Sequence, residues 1–118
     1  MNVRCLIVDD SEEFVASASR LLGAQGLEIV ACASSSADAL RLARALAPDV
    51  ALVDIELAED DGIALSHELA AAAPSMRVVL ISSYASDDLG DVIADSPAAG
   101  FIPKARLGAA AIERLLAA

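Results

Sequence analysis

Aromatic side chains are almost missing from this chain. It has no tryptophan, and Phe14, Tyr84 and Phe101 are its entire aromatic content. Hydrophobic residues still make up 57% of the sequence, with alanine prominent among them. That composition excludes a bulky aromatic core and favours close-packed helices on an aliphatic one. Basic residues are also scarce: Lys and Arg total 8 against 18 Asp and Glu, a net charge of −10. So acidic a domain is repelled by phosphate backbones and anionic membrane surfaces. Direct nucleic-acid or membrane binding is disfavoured; a divalent cation or a basic protein patch is not. The two cysteines, Cys5 and Cys32, fit neither a zinc site nor a disulfide framework. Both sit in apolar strand-like runs and read as reduced, buried thiols of a cytoplasmic protein. No apolar run approaches a membrane span, and no signal-peptide pattern opens the chain. With 118 residues, one domain over 1–118 is expected.

What is present is a regular alternation of strand and helix patterns. Residues 3–8 form an apolar run ending in Asp9-Asp10. Ser11 offers an N-cap, Glu12 and Glu13 suit a first helical turn, and Gly23 and Gly26 close that helix. A second strand covers 27–33. Ser35 and Asp38 make a capping pattern for a helix over 37–47. Val50, Ala51, Leu52 and Val53 then form a strand apolar on both faces, ending in Asp54. An acidic loop leads into a helix over 62–73, and a fourth strand covers 78–82. A short acidic helix starts at Ser86, Asp87 and Asp88 and ends before Pro97. It contains Gly90, so it is marginal, as a two-state element needs to be. A fifth strand covers 100–103 and a last helix 107–118. Five βα repeats predict an α/β fold with a parallel sheet and helices on both faces.

The polar residues at the strand ends carry the chemistry. Asp9 and Asp10 follow the first strand, Asp54 ends the third, Ser82 ends the fourth and Lys104 follows the fifth. Ligands in such sheets bind at the carboxyl ends of the strands. If the first and third strands are neighbours, three carboxylates converge there and repel one another unless protonated or neutralised. A hard cation with oxygen ligands such as Mg²⁺ resolves that. A nucleophilic carboxylate, a cation, a hydroxyl and an ammonium are together what phosphoryl transfer to Asp54 requires. His67 pairs with no other ligand and reads as a surface residue.

The motifs LIVDDS, ALVDIEL, the Asp61-Gly62 step, VVLISSY and GFIPKA resemble the receiver domain of bacterial two-component response regulators over nearly the full length. The resemblance implies a flavodoxin-like (βα)5 three-layer sandwich with strand order 2-1-3-4-5. It also implies that Asp54 accepts a phosphoryl group from a sensor histidine kinase. Mg²⁺ would be bound by Asp10, Asp54 and the backbone carbonyl of Glu56, and by Asp9 through water. Lys104 and Ser82 would contact the phosphoryl group, Phe101 would be the switch aromatic, and Ser83 the small residue beside the site. The face built from the fourth helix, fifth strand and last helix would engage a second copy or a downstream protein, with any transcriptional output outside this chain.

Departures from the family pattern are Ala58 where proline is usual, which loosens the loop after the third strand, and Ala105 after Lys104, which precludes the usual cis bond there. Glu56, Glu59, Asp60 and Asp61 add carboxylates beside the site. Glu56 and Tyr84, two residues beyond the acceptor and the hydroxyl, are expected to modulate phosphoaspartate lifetime. Two alternatives stand beside this reading. One is a Mg²⁺-dependent phosphohydrolase with Asp54 as nucleophile; the other is a receiver-like binding module that is never phosphorylated.

Overall fold

The computed structural model describes residues 3–57, 60–83 and 90–117, and of Val92 only the backbone. The strands are β1 (Arg4–Val8), β2 (Glu28–Ala33), β3 (Val50–Asp54), β4 (Arg77–Ser82) and β5 (Gly100–Pro103). The helices are α1 (Glu12–Ala24), α2 (Ser36–Leu46), α3 (Gly62–Ala72), α4 (Gly90–Ala94) and α5 (Ala109–Ala117). The sheet is parallel with order β2-β1-β3-β4-β5. This is the flavodoxin-like arrangement that the family resemblance implied.

Side-chain alternation explains the three layers. In β3, Val50 and Leu52 pack with Ala18 and Leu22 of α1 and Ile112 of α5, while Ala51 and Val53 pack with Ala39 of α2 and Leu65 and Leu69 of α3. β1 and β4 alternate in the same way, so each strand buries both of its faces. Every residue of β3 is buried, including Asp54.

Several sequence expectations need correction. Cys32 is exposed, although Cys5 is buried. Its strand, β2, lies at the sheet edge and its register with β1 shifts between Cys5 and Leu6, so β2 is covered less than the central strands. Burial pushes the Cys5 thiol up to about 12, with Cys32 adding to it. Gly23 lies inside α1 instead of closing it. The helix is capped at Gln25, and Gly26, at φ +101°, makes the turn. The last helix begins later than 107. Lys104–Arg106 form a 3-10 turn, and the N–H of Ala109 donates to Oε1 of Gln25 at 2.6 Å. A cap reached from another helix left no local signal. α4 is described only from Gly90, with Asp91 in its first turn. Its expected start at Ser86, Asp87 and Asp88, together with Ala58, Glu59 and Tyr84, lies outside the described residues.

Candidate phosphoacceptor site

The topology delivers Asp9, Asp10, Asp54, Ser82 and Lys104 to one edge of the sheet. β1 and β3 are neighbours, so the carboxylates of Asp9, Asp10 and Asp54 meet, each offering an oxygen within 4.8 Å of the others. Asp9 is held by its own turn. Its N–H donates to Ala33 O at 2.9 Å, and its Oδ1 accepts from Ser11 N–H at 2.9 Å. Its Oδ2 is buried and makes no well-formed hydrogen bond; it leans on the Lys104 ammonium, 2.7 Å away. Lys104 also reaches Oδ2 of Asp54 at 3.5 Å. Asp10 is exposed to solvent.

Asp54 is fixed by backbone. Its Oδ1 accepts from the N–H of Glu56 at 3.1 Å. Gly62, the first residue of α3, abuts the Asp54 carbonyl so closely that a Cβ there would lie 2.0 Å from that oxygen. The Asp61-Gly62 step therefore has a packing reason: only glycine lets α3 approach the end of β3. The loop closes through a Glu56–Asp61 bridge and the N–H of Gly62 donating to Ile55 O. Two acidic residues of the loop serve the fold. Asp61 caps α3 by accepting from Ile63 N–H, and Oδ2 of Asp60 accepts from Ser36 N–H at the start of α2. Neither carboxylate belongs to the described cluster of three acidic groups.

Ser82 is fully buried, and its hydroxyl donates to Oε1 of Glu56 at 3.3 Å. Ser83 beside it is exposed. Phe101 is half-buried and, like Ile93 and Ala98, packs against the aliphatic core that α2 and α3 cover. The described peptide bonds are all trans, including the one after Lys104. His67 is exposed, as expected. One site contact escaped sequence reasoning: the Lys104 ammonium stands 4.3 Å from the ring centroid of Phe14. Phe14 lies in the first turn of α1. Its place one turn beyond the acidic pair was the one available signal.

The charges are unevenly tuned. Burial raises the Asp54 carboxyl above its usual range; the Glu56 N–H opposes this, the Asp9 charge adds to it, and Lys104 opposes it, leaving the group raised. Burial pulls Lys104 down, but its bond to Asp9 and the charges of Asp54 and Asp9 outweigh that, leaving it above the usual lysine value. One ammonium among three carboxylates leaves the site net negative. An all-oxygen donor set with more negative charge than its one ammonium neutralises fits a hard divalent cation such as Mg²⁺.

Residues 5–116 match the response regulator receiver domain family. Response regulator GacA of Pseudomonas aeruginosa is 30% identical over 103 residues, covering 86% of this chain and 48% of GacA. The chain thus spans about half the length of that curated relative. The signal receiver domain of response regulator NarL from Mycobacterium tuberculosis matches with a TM-score of 0.86 at 27% identity, covering 99% of this chain and 98% of that one. A response regulator protein from Burkholderia pseudomallei, with a phosphorylated aspartic acid, a calcium ion and citrate, matches at 0.78 and 26% identity, covering 98% and 72%. The family match over nearly all its length makes this chain a member of the response regulator receiver domain family.

Proposed function

We propose that Asp54 takes a phosphoryl group from a phosphohistidine of a sensor histidine kinase, and that this transfer switches the face formed by α4, β5 and α5. The observation that carries the reading is the meeting of Asp9, Asp10 and Asp54 with Lys104 at one sheet edge. The phosphorylated aspartic acid in the similar Burkholderia pseudomallei protein supports it. In the transfer, the donor N–P bond breaks and a P–O bond forms to a carboxylate oxygen of Asp54. The imidazole keeps the electron pair and takes up a proton. Lys104 sets positive charge beside Oδ2 of Asp54, where the new phosphoryl oxygens gather. The Ser82 hydroxyl then turns to donate to one of them, and Phe101 moves with it. Asp9, Asp10, Asp54 and the backbone carbonyl of Glu56 would hold Mg²⁺, which supplies charge neutralisation for the transferring group.

The domain signals by changing which partner its switching face favours, a downstream protein or a second copy, and it works in the cytoplasm. It assists its own phosphorylation and dephosphorylation but turns over no separate substrate. Glu56 and Tyr84 set the lifetime of the phosphoaspartate.

Incubation with Mg²⁺ and acetyl phosphate, read by intact mass, should add one phosphoryl group per chain. The adduct should be lost in Asp54→Asn. Repeated turnover of acetyl phosphate with no adduct would instead favour a phosphohydrolase. Decay of the same labelled protein should change in Glu56→Ala and in Tyr84→Ala; equal decay in wild type and both variants removes their assigned role.

A further inference from the structure

A hydroxyl has one proton to give, and that of Ser82 is aimed at the Glu56 carboxylate. We infer that Glu56 is a latch: its side chain holds the Ser82 hydroxyl away from Asp54, and phosphorylation must break this bond before Ser82 can turn. The inference rests on the phosphoacceptor reading above and adds a competitor for the same hydroxyl.

Three observations converge on it. Ser82 is fully buried at the end of β4, whereas Glu56 is exposed and free to swing into solvent once released. The Glu56 backbone is pinned, by its N–H to Oδ1 of Asp54 and by its bridge to Asp61, so the side chain can leave without disturbing the acceptor. A phosphoryl group on Asp54 would bring negative charge close to the Glu56 carboxylate, so the event that demands the hydroxyl also repels its holder. Glu56 is then a positioning residue acting through Ser82. The latch favours the unphosphorylated conformation.

The test is a double-mutant cycle read by calorimetric titration of beryllofluoride, a phosphoryl mimic, at saturating Mg²⁺. Glu56→Ala should tighten mimic binding roughly tenfold, because the hydroxyl no longer has to be won from a carboxylate. In a Ser82→Ala background the same change should gain less than about threefold, the part due to charge alone. Glu56→Gln keeps an acceptor and should gain less than Glu56→Ala. Equal gains with and without Ser82, or a gain in Glu56→Gln as large as in Glu56→Ala, overturn the latch and leave only charge repulsion. Failure of wild type to bind the mimic at all overturns the phosphoacceptor reading instead, so the two failures are distinguishable.

Discussion

The two halves of the carboxyl edge are built on different principles. At the ends of β1 and β3, backbone groups do most of the holding. Asp9 is tied to Ala33 and Ser11, Asp54 to Glu56, and α3 is jammed against the Asp54 carbonyl at Gly62. At β4, β5 and α4, side chains do the holding. Ser82 donates to an exposed Glu56, Phe101 is half-buried, and α4 as described is five residues long. Carboxylates held by backbone thus stand beside a hydroxyl and an aromatic ring held by side chains, so the second set can move without deforming the first.

The sharpest way to break the comparison is at glycine. Gly62→Ala places a Cβ against immovable backbone and should destabilise the protein by about 3 kcal/mol in urea unfolding. A smaller effect is expected at Lys104. Lys104→Ala leaves Oδ2 of Asp9 buried and unpaired, at a cost of about 2 kcal/mol near the open end of the sheet. Millimolar Mg²⁺ should recover part of that loss; no recovery would argue that the carboxylates do not hold a cation.

Asp54→Asn should go the other way and raise stability at neutral pH without Mg²⁺. The folded carboxyl has a raised pKa, so the folded state binds its proton more tightly than the unfolded chain does. Stability therefore falls as pH rises from the ordinary carboxylate range through the raised value. The gain in the variant should vanish at pH values below that window. Lys104 is also raised, so its contribution is complete below the ordinary lysine value and is lost as pH climbs through the folded one. The smallest effect belongs to the α4 side. Among the described residues a Cβ at Gly90 meets nothing within 4 Å, so Gly90→Ala should be neutral or stabilise by under about 1 kcal/mol. A Gly90→Ala cost equal to that of Gly62→Ala would erase the distinction between the halves.

The sheet was legible because β1, β3 and β4 are buried on both faces, and unbroken apolar runs say so. The edge strand was misread at Cys32 for the same reason: apolarity predicts burial, but the sheet edge leaves that side chain uncovered. The capping of α5 by Gln25 could not be read, because its partners are 84 positions apart.

Of the site, the sequence alone determined which groups reach the sheet edge. Strand ends fix the heights of Asp9, Asp10, Asp54, Ser82 and Lys104, and each strand end is marked by its own hydrophobic pattern. Only the tertiary structure decided how those groups pair. Lys104 sits closer to Asp9 than to Asp54 and stands over Phe14, Asp60 and Asp61 serve helix caps, and Glu56 holds the Ser82 hydroxyl. Hydrophobic periodicity is a property of neighbours in the chain. Ion pairs and hydrogen bonds depend on distances of a few ångströms between residues far apart in sequence, and only the packed layers set those.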